Sequence, residues 1–335
     1  FRPLSARQQA EIATRRHCLK PSRRALDGFL LLDKPTGVTS NAALQRVKWL
    51  FRARKAGHSG SLDPLATGML PICFGEATKF SGYLLDADKS YRVQARFGAQ
   101  TDTGDSDGTV VATHHRSPVL PAELEEALAG LRGPIRQVPP MYSALKQAGQ
   151  RLYVLARAGR VVPRESRPVA IHEFSVDTYD PLTPVFIVRC SKGTYVRTLI
   201  EDLATRLGTL AHVIALRRLA VAPFGGQTML SLDQIEAAAG TSLDPLGALD
   251  ALLRPLEAVL PHWPAVELDA SAAFRLSRGG LAEAPSGHVP GMVRLYTPGR
   301  QFLGVGEVQP DGLVAPRRLV ASDSPAFRSA SITGL

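Results

Sequence analysis

Runs of apolar residues and regular alternation divide most of the chain into short strands and helices. Residues 29–32 form a continuous apolar run that predicts a buried strand, followed by a turn over 33–37. Ser40 is the predicted N-cap of a helix, because apolar side chains at helical spacing follow it. Residues 91–97 alternate between apolar and polar side chains, which predicts a strand buried on one face only.

Further elements follow without the strict strand–helix alternation of a doubly wound fold. The spacing of apolar residues predicts helices over 76–85, 121–131 and about 195–207, and a strand over 185–190. We therefore expect an α+β domain built on a mixed sheet.

Changes in composition and in the spacing of predicted elements indicate the domain organisation. Past residue 262 the chain consists of short strands over 292–296, 302–306 and 313–320, separated by turns rich in Pro and Gly. The expected units are a basic N-terminal arm (1–27), a main domain (28–262), a small β-rich domain (263–325) and a tail (326–335). An insertion over about 139–168 is expected to reach over a polyanion, because basic side chains dominate it: Lys146, Arg151, Arg157, Arg160, Arg164 and Arg167.

Composition limits the classes of partner and compartment. The 335 residues carry 40 Lys and Arg against 30 Asp and Glu, a net charge of +10 that favours a polyanionic partner. The three cysteines are widely spaced and form no C-x-x-C pair, which fits a reducing cytoplasm and suggests neither a zinc site nor disulfides. No apolar run is long enough to span a bilayer, and the first 24 residues lack the apolar segment of a signal peptide.

The chain offers little support for a metal or nucleotide enzyme. The acidic turn over 102–108 fails the EF-hand pattern at its first and twelfth positions, and we interpret it as a solvated turn. His114 and His115 are adjacent and do not share a helix face. No P-loop or dinucleotide-binding glycine pattern is present.

Asp63 stands out in a loop rich in Gly and Pro over 57–68. Pro64 restricts its backbone, and Gly60 and Gly68 allow a close backbone approach to a ligand. A carboxylate placed there could act as a nucleophile, as a general base, or as a cap of the turn, which is the commonest role of such an Asp.

The segment 57–71, with the sequence GHSGSLDPLATGMLP, resembles the catalytic motif of the bacterial tRNA pseudouridine-55 synthases, the TruB family. Further stretches resemble blocks of the same family in the same order: LDKPTG (32–37), DKSY (88–91), QVPPMYSALK (137–146), CSKGTYVR (190–197), HVIALRR (212–218) and VAPRRL (314–319). The resemblance covers about residues 28–320. It implies a pseudouridine synthase catalytic domain with a thumb-like insertion and a PUA-like RNA-binding domain at the C-terminus.

The resemblance also implies roles for single residues. Asp63 matches the catalytic aspartate, Tyr91 the tyrosine that stacks on the target base and assists proton removal from C5, and Arg197 the arginine paired with the aspartate. Other matched residues line the pocket or meet the flipped nucleotide (His58, Tyr195 and Leu216) or support the catalytic loop (Lys34 and Pro35). Taken singly, Tyr91 would be interpreted as a core residue and Arg197 as a solvated charge; for His58 a core or turn histidine is the alternative to a role at the catalytic loop.

The implied reaction is the isomerisation of the uridine at position 55 in the T loop of tRNA. Breaking a glycosidic C–N bond and rejoining the base through C5 needs no redox change, so one carboxylate without metal or cofactor can suffice. We expect Arg197 to lower the pKa of Asp63. Because a base inside folded RNA is out of reach, we also expect the nucleotide to be flipped out.

The expected partner is the T-stem loop of tRNA, bound by a cytoplasmic monomer without a membrane or an obligatory protein partner. One alternative is a tRNA-binding and folding module whose chemistry is secondary. The presence of Asp63, Tyr91 and Arg197 together disfavours a purely non-catalytic form. A second alternative is the guide-RNA-dependent relative of the family, but the sequence of residues 65–71 and the basic insertion favour the stand-alone bacterial type.

Overall fold

The fold is built on an eight-stranded mixed sheet, seen in a computed structural model that describes residues 22–115 and 118–321. The strands are β1 (Gly28–Lys34), β2 (Ala56–His58), β3 (Thr67–Phe74), β4 (Lys89–Phe97), β7 (Gly133–Gln137), β10 (Arg167–Thr178), β11 (Val185–Cys190) and β12 (Ala211–Val221). Seven of them follow the spatial order β1-β3-β12-β4-β11-β10-β7, and β2 also pairs with β3. Only β3 and β12 run parallel; every other neighbouring pair in this sheet is antiparallel.

Three helices cover one face of this sheet. Apolar side chains of α1 (Ser40–Leu50), α3 (Pro121–Ala129) and α5 (Val196–Arg206) share one continuous core with the inward side chains of β1, β4 and β11. Burying such a face is the main favourable contribution to folding. Further helices complete the main domain: α2 (Ser81–Asp86), α6 (Leu232–Gly240) and α7 (Pro245–Asp250), with 3₁₀ turns at Gly75–Lys79 and Leu256–Val259.

At the β1–β3 end of the sheet, the opposite face packs against the C-terminal domain. Phe29 and Leu31 of β1 point away from the helices and join a second core that includes Phe302 and Val305. A hydrogen bond also joins the two domains: Lys79 Nζ donates to the Leu319 carbonyl at 3.0 Å. Strand β1 is therefore buried on both sides, as its unbroken apolar run predicted.

The C-terminal domain has its own small sheet and core. The elements are β13 (Ala265–Glu267), α8 (Ala270–Ser277), β14 (Ala282–Glu283), β15 (Gly291–Tyr296), β16 (Phe302–Val308) and β17 (Leu313–Leu319). The strands follow the order β13-β15-β16-β17-β14, with β13 parallel to β15 and the others antiparallel. The three strands predicted between Pro- and Gly-rich turns in this region are confirmed.

Two pairs of short strands lie outside both sheets. Strands β5 (Ala99–Thr101) and β6 (Val110–Thr113) form a hairpin around the acidic turn. Strands β8 (Lys146–Gln147) and β9 (Gln150–Arg151) precede α4 (Leu152–Arg157), and all three lie between β7 and β10 of the main sheet. The basic segment therefore leaves the main sheet after β7 and returns to it at β10.

The predicted α+β class and mixed sheet are confirmed, and three local predictions are corrected. Helix α1 is capped by Thr39, whose Oγ1 accepts from the Ala42 amide at 3.1 Å, and Ser40 is the first residue inside the helix. The helix predicted over 76–85 is a 3₁₀ turn followed by α2. Packing also begins before Gly28, since Leu26 is buried and Arg24 pairs with Asp250 at 2.5 Å.

The remaining sequence-based expectations concern the two termini, the cysteines and membrane-spanning helices. Most of the basic arm (1–21) and the end of the C-terminal tail (322–335) lie outside the described residues. Cys73 and Cys190 are buried free thiols, and Cys18 belongs to the part not described. Within residues 22–115 and 118–321, no helix is both long and apolar enough to cross a membrane.

Phe80 tests the energetic weight of the domain junction. Its side chain is fully buried, and its ring centroid lies 5.6 Å from that of Phe302. We expect Phe80→Ala to lower the free energy of unfolding by about 3–5 kcal/mol, because the substitution opens a cavity between two apolar surfaces. Urea denaturation followed by circular dichroism measures this change. Leu243→Ala, at a fully exposed apolar residue, should change it by less than about 0.5 kcal/mol; equal losses in both variants would contradict this view of the junction.

Candidate active site

Asp63 lies in the loop between β2 and β3, and the segment 34–40 fixes the backbone on both sides of it. Ser40 Oγ accepts from the Leu62 amide at 2.8 Å and donates to the Leu62 carbonyl at 3.0 Å. The Gly37 amide donates to the Pro64 carbonyl at 2.9 Å. The residues before and after Asp63 are thus held by hydrogen bonds to a rigid strand end and a helix start, which pre-organises the carboxylate.

Lys34 is a buried cation beneath the same loop. Its ammonium donates to the carbonyls of Pro35 at 2.9 Å, Val38 at 2.6 Å and Pro64 at 3.3 Å. Burial lowers the pKa of Lys34 to about 8, and the negative charge of Asp63 opposes this fall. The supporting role that sequence resemblance implied for Lys34 therefore has a geometric basis, whereas Pro35 is exposed and contributes its carbonyl.

Arg197, at the start of α5, forms the ion pair with Asp63. Its Nε lies 2.9 Å from Asp63 Oδ2, and only 6% of its side chain is exposed against 40% of that of Asp63. Its remaining nitrogens donate to backbone carbonyls, one to Tyr142 at 2.8 Å and another, in a short contact, to Thr103. The guanidinium is therefore fixed on several sides and presents its charge to the half-buried carboxylate of Asp63.

Asp105 is a second carboxylate beside Arg197, and it corrects the interpretation of the acidic turn. Its side chain is only 6% exposed, with Oδ2 3.6 Å from Arg197 Nε. Thr103 Oγ1 donates to its other oxygen at 2.6 Å, and the Asp107 amide at 3.2 Å. The prediction of a merely solvated turn was wrong for this residue, since the turn carries a buried negative charge into the site.

Burial outweighs the ion pair in setting the acidity of Asp63. Burial raises the pKa of the Asp63 carboxyl above its ordinary value of 3.8, Arg197 opposes the rise, and Asp105 adds to it. Arg197 thus lowers the pKa as expected, but the effect of burial is larger. The result is a carboxylate whose charged form is held in place by one dominant partner.

Tyr91 and Arg218 lie opposite each other on neighbouring strands below the loop. They are paired residues of β4 and β12, and both are buried. Burial raises the pKa of the Tyr91 phenol, the positive charge of Arg218 opposes this rise, and the charge of Asp63 adds to it. Tyr91 is therefore a neutral aromatic ring at physiological pH within electrostatic reach of Asp63.

Arg218 was not singled out from the sequence, yet it ties several parts of the site together. Its Nε donates to the Met69 carbonyl at 2.6 Å and another nitrogen donates to the Gly60 carbonyl at 2.9 Å. It forms no ion pair with a carboxylate in the described part of the chain. The available signal was its position two residues after Leu216, on the buried face of β12.

The two glycines that flank Asp63 serve this packing. A Cβ at Gly68, where φ is +96°, would lie 2.2 Å from the Arg218 carbonyl oxygen. A Cβ at Gly60, where φ is +77°, would lie 3.4 Å from the Arg218 guanidinium. The close approach that these glycines permit is therefore to Arg218 within the protein itself.

The remaining predicted residues are placed around the site to different extents. His58 ends β2 and lines the same cavity as Asp63; burial and the charge of Arg218 lower its pKa, and its Nδ1 has no hydrogen-bond partner among the described residues. Tyr195 precedes α5, its backbone is held by Gln137, and burial raises its pKa. Leu216 lies in the core and lines a separate cavity of about 250 Å³.

The Asp63 cavity is lined by both acidic and basic residues. It measures about 1070 Å³. Its acidic lining comes from Asp63 and the 102–108 turn, and its basic lining comes mainly from the segment between β7 and β10. That segment contributes both cations and an aromatic ring to the lining: Lys146, Arg151, Tyr153 and Arg157. Such a cavity can accept a nucleotide with its phosphates toward the cations and its reacting sugar toward the carboxylate.

Comparisons with known proteins agree with this geometry. Residues 48–196 match the TruB family pseudouridylate synthase N-terminal domain, and residues 197–261 match the tRNA pseudouridylate synthase B C-terminal domain. Residues 264–320 match the C-terminal domain described as pseudouridine synthase II TruB. The chain belongs to the TruB family of pseudouridine synthases, and it is therefore an enzyme that isomerises uridine in RNA.

Similar proteins extend this likeness over nearly the whole chain. The tRNA pseudouridine synthase B of Nitrosococcus oceani is 52% identical over 299 residues, which cover 89% of this chain and 96% of that protein. The protein of the same name from Pseudomonas aeruginosa is 50% identical, over 91% of this chain and 99% of its own.

Solved structures share the fold at lower identity. A Cbf5–Nop10–Gar1 complex contains a chain that is 25% identical, with a TM-score of 0.63 over 84% of this chain and 78% of that one. An H/ACA RNP bound to a substrate RNA containing 2′-deoxyuridine gives a TM-score of 0.66 at 21% identity, covering 90% and 87%. The second likeness concerns the fold alone.

Asp105→Asn tests the electrostatic link to Asp63. The substitution keeps the shape of the side chain but removes a negative charge that raises the pKa of Asp63. Under the prediction that Asp63 is the catalytic carboxylate and acts in its ionised form, we expect the acid limb of the single-turnover rate to move to lower pH. Asp102→Asn is the matched control, since Asp102 lines the same cavity but is not among the groups that shift the Asp63 pKa. An acid limb unchanged in Asp105→Asn would contradict the link.

Lys34 is expected to set an alkaline limit on the same rate. Its pKa of about 8 means that the ammonium prevails below pH 8, whereas the neutral amine above it has one donor fewer for three carbonyls. We therefore expect the rate to fall through pH 8 in the wild type. In Lys34→Met the rate should be low throughout, without this fall. The control Lys89→Met removes another buried lysine with a pKa of about 8 and should retain the fall; its loss there would contradict the assignment to Lys34.

Proposed function

We propose that the protein converts the uridine at position 55 in the T loop of tRNA into pseudouridine, with Asp63 as the catalytic carboxylate. The observation that carries this proposal is the Asp63–Arg197 ion pair, 2.9 Å long, in a cavity lined by both acidic and basic residues. The names of the similar bacterial enzymes support tRNA as the substrate.

The reaction needs one carboxylate and no external group. The bond between C1′ and N1 breaks, the detached uracil turns, a bond forms between C1′ and C5, the C5 proton is released, and N1 takes up a proton. Electrons and atoms balance without an oxidant or a co-reactant, so the proposed enzyme works without a cofactor or metal. Asp63 acts either as a covalent nucleophile or by promoting a glycal intermediate, and Arg197 keeps it ionised and oriented.

Tyr91 is proposed as the platform for the flipped base. Its raised pKa keeps the ring neutral, which suits stacking worth about 1–3 kcal/mol per base. Its proposed part in removing the C5 proton rests on family resemblance. His58, Tyr195 and Leu216 are proposed to contact the nucleotide, with the unpartnered Nδ1 of His58 available to it. Lys34 and Pro35 are proposed to support the loop.

The insertion, the C-terminal domain and the basic arm each have a proposed task in binding RNA. The insertion over 139–168 closes on the T-stem loop, because its cations already line the cavity of Asp63. The C-terminal domain (263–325) is a PUA-like unit that binds RNA away from the reacting uridine. The basic arm (1–27) is proposed to supply further positive charge for RNA binding. No task is proposed for the tail (326–335). We propose that the enzyme acts as a monomer in the cytoplasm, as a stand-alone protein.

Asp63→Asn is the direct test of the chemistry. An unmodified tRNA transcript is incubated with purified protein without added metal or nucleotide, and pseudouridine is mapped by a base-specific chemical reaction. We expect modification at position 55 only, and its loss in Asp63→Asn, with the Kd for tRNA changed less than about threefold because shape is preserved. Asp102→Asn, another carboxylate of the same cavity, should retain turnover.

Two outcomes would contradict this proposal in different ways. Substantial turnover by Asp63→Asn would remove Asp63 from the reaction. Tight, salt-sensitive binding of tRNA without any modification by the wild type would favour the alternative, a tRNA-binding and folding module.

A further inference from the structure

An exposed stripe on α1 runs away from the active-site cavity. The N-terminal end of the helix lines the cavity through Ser40 and Asn41. Gln45 and Trp49 follow Asn41 at intervals of four residues, so the three side chains lie along one face. Gln45 Nε2 donates to Asn41 Oδ1 at 3.4 Å. From Asn41 to Trp49 the helix rises about 12 Å, at roughly 1.5 Å per residue.

Trp49 at the far end of this stripe is an ordered aromatic surface. Its side chain is 61% exposed, and the Arg46 guanidinium lies over the ring, 4.9 Å from the centroid. Arg46 in turn forms an ion pair with Glu236, with 2.7 Å between Nη2 and Oε1. One face of the indole is thus covered by a fixed cation, and much of the side chain remains open to solvent.

The sequence on either side of Trp49 is rich in cations. From residue 35 to residue 62 the sequence contains no Asp or Glu. It contains five cations, all between residues 46 and 55: Arg46, Lys48, Arg52, Arg54 and Lys55. Apart from Arg46, none of them forms an ion pair with an acidic side chain within 22–115 and 118–321. Exposed cations around an exposed aromatic ring are the combination that binds nucleic-acid backbone and bases.

We propose that this surface, the outer face of α1 with residues 52–55, is a second contact site for the RNA whose uridine enters the cavity. Trp49 stacks on an unpaired base or a ribose, and the cations after it contact phosphates. RNA is the occupant because the stripe is continuous with the cavity and its charge complements phosphates. None of residues 46–55 lines the cavity, so this contact is additional to that of the basic insertion. The inference rests on the proposed function for the identity of the RNA.

Tryptophan fluorescence and RNA affinity test the contact together. Addition of tRNA transcript should quench the fluorescence of the wild type, and Trp49→Phe should lose most of this quench while its Kd stays within about twofold. Trp49→Ala should raise the Kd about tenfold, because it removes a stacking surface. The single-turnover rate at saturating RNA should stay unchanged in both variants. Leu243→Ala, which truncates another exposed apolar side chain, is the control and should leave quench and affinity as in the wild type.

The phosphate contacts have a separate readout. In the double variant Arg52→Gln, Arg54→Gln the slope of log Kd against log salt concentration should fall by about 1–2 units, roughly one for each phosphate that the variant no longer neutralises. The inference is overturned if Trp49→Ala binds tRNA as tightly as the wild type and Trp49→Phe retains the full quench. Both measurements report binding, so a wild type that binds but does not isomerise uridine would reject the proposed function and leave this test valid.

Discussion

The site depends on one buried guanidinium. Arg197 is almost fully enclosed, and its charge is shared between the half-buried carboxylate of Asp63 and the enclosed carboxylate of Asp105. Removing a cation from water is costly unless its partners are close and well oriented. Here two carboxylates and two backbone carbonyls meet that requirement. The elements that supply them must therefore come together: the catalytic loop, the acidic turn, the start of α5 and the segment after β7.

A second layer of cations supports this centre without contacting a carboxylate. Lys34 holds the loop through backbone carbonyls, and Arg218 does the same from β12. Arg197 favours the ionised form of Asp63, and the opposite charges of Lys34 and Asp63 favour each other, whereas burial opposes the charged form of both groups.

The sequence was informative where the determinants are local. The alternation over 91–97 predicted β4 with its correct buried face, and the contiguous segment around Asp63 was enough to identify the loop. Residues whose roles arise from distant partners were harder. Asp105 was assigned to a solvated turn because only the folded chain brings it to Arg197. Arg218 drew no attention because its partners, Gly60, Met69 and Tyr91, belong to other strands and loops. The rise in the pKa of Asp63 could not be predicted either, because it depends on how far the folded chain buries the carboxyl group.

Strand β1 belongs to two cores at once, with Leu30 and Leu32 beneath the helices and Phe29 and Leu31 beneath the C-terminal domain. The C-terminal domain is therefore not a detachable module. A chain cut by a protease near residue 262, or shortened by a premature stop codon, would expose an apolar sheet face to solvent and become prone to aggregation. Recombination could replace this domain only together with matching changes in β1 and β3. The two parts of the chain are thus constrained to be inherited as a single unit.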